Sequence, residues 1–455
     1  ALLSDTKGQR SIAIGHNALS NQNFTTATDG LNTAVGHEAG ASVTTGVQNT
    51  LVGGLAGDAI TTGQNNVAMG YFALSSDDVG DNSVAIGVLA LNAQNFTTAT
   101  NTYNVAVGRS AGAAVTTGIR NTLIGGEAGD AITDADHNIA VGFRSLTTNT
   151  VGSRSVAIGN GALFAQNPTT ATDMYNVAVG YEAGVAVTTG TLNTLIGGLA
   201  GDAITTGERN VAVGYNALTA NTLGSRTVAI GQGALGDQNY TTATNSYNTA
   251  VGALAGNAIT TGIENTILGG LAGDALTDAD ANVALGYAAL TSDTLGSKSV
   301  AVGRAALNTQ NFTTATDSFN TAVGFNAGNA VTTGTTLTLI GGSCGDALTD
   351  CDFNTAVGSF SLSEDTQGSK STAIGYQSLA NQNFTTATDS FNTALGFQSG
   401  TAVTTGIRNT LIGSNAGDVL TDADSNTAIG FASLSGDTLG SKSVAVGSAA
   451  LNSQN

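Results

Sequence analysis

Acidic side chains recur along this chain at fixed steps. Asp58, Asp130, Asp202, Asp274, Asp346 and Asp418 stand 72 residues apart, each directly after a Gly. Four of these sites are followed by a Thr-Asp-x-Asp run, which adds Asp134 and Asp136, Asp278 and Asp280, Asp350 and Asp352, and Asp422 and Asp424. Carboxylates two apart on a turn are a start towards structural Ca²⁺, which takes six to eight oxygen ligands. The sets Asp130/Asp134/Asp136, Asp274/Asp278/Asp280 and Asp418/Asp422/Asp424 are the candidates, and an Asx-type turn is the competing and preferred reading. The other two copies carry Thr-Thr-Gly there, so the fold does not depend on those carboxylates.

Three further groups of residues bear on chemistry. Asn23, Asn95, Asn239, Asn311 and Asn383 open Asn-x-Thr glycosylation sequons, whereas Pro168 after Asn167 excludes the sixth. Cys344 and Cys351 lie seven residues apart and would bridge if their Cα atoms came within ~7 Å. Zinc is not expected there, for want of further Cys or His neighbours. His16, His37 and His137 read as unrelated placements on a solvated surface. No Ser-His-Asp set, phosphate loop or metal-binding His pair is apparent, so the chain is not expected to be an enzyme and no cofactor is expected.

These positions are set by internal repetition. Ser11 opens the string SIAIG, and its variants SVAIG, TVAIG, SVAVG and STAIG open at Ser83, Ser155, Thr227, Ser299, Ser371 and Ser443 with no insertion or deletion in the register. The result is a single array: a partial coil at 1–10, then 11–82, 83–154, 155–226, 227–298, 299–370 and 371–442, and a partial coil at 443–455. Each copy divides into units of 21, 17, 17 and 17 residues, and the fifth residue of every unit is Gly. The ends fall in mid-unit, as in a slice of a longer array.

Composition agrees with a repeat fold. The 455 residues include 62 Gly, one Pro and no Trp, with 10% charged residues and a net charge of −19. Collagen would need Gly at every third place. An apolar share of 41% argues against disorder. No apolar run is long enough for a membrane helix, and the acidic balance with no basic stripe makes nucleic acid a poor partner.

Unit openings alternate as strands do. In NVAVG (210–214), Val211 and Val213 share one face, and the β-branched pair suits a buried one. Ala- and Gly-rich faces would then lie exposed. One 17-residue unit encloses no core, but stacked coils cover one another, at ~4.8 Å per coil. The expectation is therefore an all-β parallel β-solenoid of 17- and 21-residue coils forming a rod. The recurrent Gly would allow positive φ or close backbone approach. Seventeen of the eighteen complete 17-residue units open with Asn, Leu337 being the exception. This column reads as an Asn ladder, with side-chain amides bonded coil to coil.

The 21-residue units should each project a loop, such as QNFTTATDS (310–318). Phe24, Phe96, Tyr240, Phe312 and Phe384 in these loops suit either contact with a carbohydrate or protein partner or packing down over the coil. Paired threonines (Thr44-Thr45, Thr61-Thr62) also raise an ice-binding solenoid, ranked low because the fourth unit interrupts them with SDD (76–78) or NTL (221–223).

The strings SVAIG, NTAVG and NVAVG, each followed by a small-residue turn, resemble the head repeats of trimeric autotransporter adhesins (YadA-like). The same repeat type also occurs in some bacteriophage tail fibres. The resemblance covers essentially the whole chain. It implies a left-handed parallel β-roll, assembly as a homotrimer, and a structural and adhesive role in an extracellular cell-surface fibre. Self-association and a host-surface or matrix glycan or protein are the implied partners, with no membrane contact in this segment. The alternative is a tail-fibre shaft on a virion. The coils here, of 17 and 21 residues, are longer than the family's.

Overall fold

The computed structural model describes residues 1–452, which contain strands and turns and no helix. The chain divides into two compact units. One comprises Ala1–Arg226 with Thr241–Thr244, and the other Thr227–Tyr240 with Asn245 onward.

Each unit is a parallel β-solenoid. In the first, the three-residue strands Ile12–Ile14, Thr33–Val35, Thr50–Val52 and Val67–Met69 pair in parallel, and the pattern runs on to Val211–Val213. Ladder partners stand one unit apart in sequence: Thr33 faces Thr50 across a 17-residue unit, and Ile12 faces Thr33 across a 21-residue unit. The second solenoid repeats this register from Val228–Ile230, where Val228 faces Thr249 and Thr249 faces Thr266, to Val444–Val446. Where a 21-residue coil rejoins the stack, a two-residue ladder adds a second pairing: Gly80–Asp81 with Thr100–Asn101 in the first solenoid, Gly296–Ser297 with Thr316–Asp317 in the second.

The interior is narrow, and small side chains fill it. Ala106, Ala140 and Ala178, at the third position of their units, have no exposure at all. The residues at the second and fourth positions point outward: Ile196 is 39% exposed and Ile14, near one end, 59%. The expected orientation is thus inverted. Both faces of VAVG are apolar, and a strand facing its own coil's opposite wall has room for a methyl group rather than a branched chain. The third unit of each copy places Leu or Ile at this inward position, and its neighbours yield space. A Cβ on Gly40 would lie 2.6 Å from Leu51 Cδ1, and one on Gly57 2.7 Å from Leu51 Cδ2. The first and fourth units, with an inward Ala, put Leu at that ninth position instead: Leu19 and Leu74 are fully buried, with φ of 48° and 51°. Core volume is therefore conserved across a copy although no single unit is.

The fifth-position Gly meets both demands expected of it. Gly53 has φ of 137°, and a Cβ there would sit 2.6 Å from the carbonyl oxygen of Gly70 in the next coil. Backbone approaches backbone too closely for any side chain.

The Asn column is buried and fully engaged, but not as an amide-to-amide ladder. Asn121 Oδ1 accepts the backbone N–H of Asn138 in the next coil at 3.0 Å, while its Nδ2 donates to the Ala135 carbonyl of its own coil at 2.8 Å. One oxygen stitches coils, and one nitrogen closes the coil on itself. Direct Asn-to-Asn amide bonds within the column are few among the described residues, such as Asn49 Nδ2 to Asn32 Oδ1 at 3.2 Å. Leu337 keeps its own N–H on Asn320 Oδ1 at 2.9 Å but supplies neither group to its neighbours. Threonines stitch in the same direction: Thr116 Oγ1 donates to Thr133 O at 3.2 Å, and Thr133 Oγ1 to Thr150 O at 3.1 Å. In the fourth unit Thr150 continues this column, whereas in the first copy Asp78 interrupts it and accepts Thr61 Oγ1 through its backbone carbonyl at 3.1 Å. The hydroxyls of the first Thr in these pairs are committed to the neighbouring coil.

Candidate functional site

The second carboxylates of the Thr-Asp-x-Asp runs are tied into the stack, whereas Asp58, Asp130 and Asp418 each keep one buried carboxylate oxygen without a hydrogen-bond partner. Asp136 Oδ1 accepts Ile119 N–H at 2.8 Å, Asp280 Oδ1 accepts Ile263 N–H at 2.8 Å, and Asp424 Oδ1 accepts Ile407 N–H at 2.8 Å. Asp352 takes both the N–H and the hydroxyl of Thr335, at 2.7 and 2.8 Å. Asp278, Asp350 and Asp422 accept the hydroxyls of Thr261, Thr333 and Thr405, while Asp134 accepts that of Thr133. In each Thr-Asp-x-Asp run the second carboxylate bonds to the coil before it. Asp58, Asp130 and Asp346 are partly buried, and burial pushes their carboxyls above the ordinary range. Asp274 accepts the Thr291 hydroxyl, and Asn415 Nδ2 donates to Asp418 at 3.1 Å. The ligand atoms of the proposed calcium sets do not gather into a group of three.

The loop aromatics are core, not contact residues. Phe24, Phe96, Tyr240, Phe312 and Phe384 are all at most 6% exposed. Phe312 lies over the preceding coil, where a Cβ on Gly296 would meet its Cδ2 at 2.7 Å, and its N–H donates to Asp293 Oδ1 at 3.1 Å. Tyr240 donates its hydroxyl to Gly262 O at 2.8 Å, and burial pushes that phenol up to about 12. In the copy with Pro168, Met174 is fully buried and both approach Gly152. The aromatics at the last position of the 21-residue units, in contrast, face solvent: Tyr103, Tyr175, Tyr247, Phe319 and Phe391. Lys298 Nζ lies 5.3 Å from the Phe319 ring centroid and pairs with Asp317 at 2.5 Å; Lys370 does the same with Phe391 and Asp389 at 5.3 and 2.6 Å. Four of the five sequon asparagines are exposed, and Asn383 is half-buried.

Beneath each loop lies a buried polar cluster that the sequence pattern did not disclose. Asp293 accepts Gly296 N–H at 3.0 Å and Gln310 Nε2 at 2.6 Å, and Gln310 in turn accepts from Asn320 Nδ2 at 2.9 Å. Asp77 and Asp365 make the same contacts with Gln94 and Gln382. Burial raises all three carboxyls against the lowering effect of the Gln amides and Gly N–H groups. Asn149 occupies the position in another copy and bonds to Gly152 through both amide atoms. The cluster anchors the insertion, and nothing in it is open to a substrate.

Cys344 and Cys351, the candidate bridge, are free thiols and both fully buried. Cys344 Sγ donates to Ala356 O at 3.1 Å in the next coil. Burial pushes both thiols up to about 12. Thiolate is the reactive form, so the native protein should resist iodoacetamide at pH 8. After denaturation without reductant, two alkylations per chain are expected by intact mass. A chain that takes none would contain the disulfide.

His16 and His37 are not scattered. Each follows the fifth-position Gly of its unit, so they are neighbours on successive coils, with ring centroids 5.2 Å apart and planes at 14°. Elsewhere this column carries exposed aromatics, among them Tyr71, Phe143 and Tyr215 in the first solenoid and Tyr287, Phe325 and Phe431 in the second. Arg304 sits between two of them, 6.0 Å from the Tyr287 centroid and 5.5 Å from that of Phe325. A cleft of ≈270 Å³ is bounded by Phe143, Arg144, Asn160, Phe164 and Glu182. It is smaller than the ~300–1,000 Å³ of most small-molecule sites.

The broadest surface feature is the outward strand face. Met69, Ile124, Ile139, Ile158 and Ile196 in the first solenoid, and Ile230, Leu268, Leu285, Ile340, Leu395 and Ile429 in the second, are all exposed apolar side chains. No protein-family model matches this chain, and no curated protein matches it.

Proposed function

We propose that this chain is a non-catalytic structural segment of an extracellular surface fibre, assembled as a homotrimer of left-handed β-rolls. One observation carries the proposal: in each solenoid, coil after coil turns Val, Ile, Leu or Met outward and only Ala, Leu or Ile inward. Monomers rarely leave apolar surface of such extent uncovered. A face that repeats identically along the stack is best covered by a copy of itself, in register, and closed symmetry limits the assembly. The resemblance to adhesin head repeats selects three copies and a cell-surface setting. A tail-fibre shaft on a virion would use the same face.

Coil-to-coil stitching by Asn, Thr and Asp supports the structural role. Light scattering should give about three times the 44.8 kDa chain mass, and a mass equal to one chain would overturn the trimer. Antibody against the chain should label intact producing cells or particles; label confined to the interior would overturn the surface assignment.

A further inference from the structure

We propose that His16, His37 and Glu38 form a binding site for a late first-row divalent cation of the zinc, nickel or copper class. The ligand atoms of the three side chains all lie within 4.8 Å of one another, and no other group of three or more His, Cys, Asp or Glu residues among those described does so.

The site is built by the register of the stack. Glu38 N–H donates to His16 O at 2.8 Å, and Leu55 N–H to His37 O at 2.8 Å, so the corner bearing the imidazoles is hydrogen-bonded on both sides. In-register coils at ~4.8 Å put two rings side by side and nearly parallel, which lets two imidazole nitrogens face one point. Glu38 completes the set: its Oε1 lies 3.9 Å from His37 Nε2 and 3.5 Å from Asn17 Nδ2, which holds the carboxylate over the pair. His37 is 62% exposed at its side chain and Glu38 35%, so water can fill the remaining coordination positions.

The donor set decides the metal. Two imidazoles and one carboxylate suit zinc, nickel and copper. Calcium and magnesium want oxygen ligands in larger number. The alternative is that the rings only stack, as the aromatics of the same column do, and the test separates the two. Zn²⁺ titrated calorimetrically into the untagged full chain at pH 7.5 should saturate at one ion per chain, with no comparable heat from Ca²⁺. His16→Gln and His37→Gln should each weaken binding by about ten-fold or more, the range seen when even supporting groups of metal sites are lost. Both side chains are solvent-facing, so thermal unfolding of the metal-free variants should match the parent and exclude misfolding as the cause. Absence of saturable heat, or undiminished binding in the double variant, would overturn the site.

Discussion

Gly53→Ala should break the stack at one coil. The new methyl group would stand 2.6 Å from the Gly70 carbonyl oxygen, on a backbone at φ of 137°. Neither conflict has a soft partner, because the atom in the way is backbone of the next coil. Left-handed strain costs about 1–3 kcal/mol for a non-Gly residue, and overpacking adds about 1–3 kcal/mol. In a repeat protein stability is approximately a sum of repeat and nearest-neighbour interface terms, so this cost falls on one coil–coil interface. The expected result is a local opening near residues 49–70, read as lost amide protection in hydrogen exchange there, with distant coils still protected. Gly54→Ala is the control. Its Cβ would meet only the Tyr71 ring, at 3.5 Å, an ordinary contact. Equal protection in Gly53→Ala and parent would show that the coils do not approach as described.

That Gly was readable in the sequence because repetition makes a backbone requirement visible: a position that is Gly in every unit, whatever surrounds it, cannot be answering to side chains. The parallel register was readable for the same reason, since equal unit lengths leave one way to stack. The facing of the strand was not. Alternation gives two apolar faces in VAVG, and the choice between them depends on the coil's width, which no local pattern states. Once Ala lies inward, the exchange of Ala for Leu at the third position and Leu for Gly at the ninth follows from volume.

The candidate sites divide along similar lines. Phe312 and its equivalents had two readings, and a buried Asp with a facing Gly decided for packing. The exposed Phe319 and its equivalents carried a signal, an aromatic directly before the Asn that opens the next unit, but it competed with the more conspicuous Phe inside the loop. His16 and His37 could have been paired by counting from the fifth-position Gly. Residue spacing of 21 conceals adjacency that unit position reveals. The buried Asp293 could not be found this way, because Asn149 and Asn221 fill the same place in other copies.

The Asn column allows the sharpest separation of charge from shape. Asn121→Asp changes one NH₂ to an oxygen at nearly constant volume. The oxygen facing Asn138 N–H keeps its bond, but the other now confronts the Ala135 carbonyl, to which the amide donated at 2.8 Å. Asn121 is fully buried, so water cannot relieve the contact. An unpaired buried charge costs about 3–5 kcal/mol, and the site lowers this cost by taking up a proton. Protonated Asp restores a donor towards Ala135 O, which raises the carboxyl's affinity for protons in the fold above its unfolded value of about 3.9. The sign follows: the variant's stability is nearly that of the parent below the unfolded value and is lost as pH rises through the folded one. Thermal unfolding should therefore place Asn121→Asp well below the parent at pH 7 and close to it near pH 4. Asn121→Leu, which copies the native Leu337, should lie between the two and show no such recovery on acidification. A destabilisation of Asn121→Asp that is independent of pH would show that the amide's nitrogen does not close the coil.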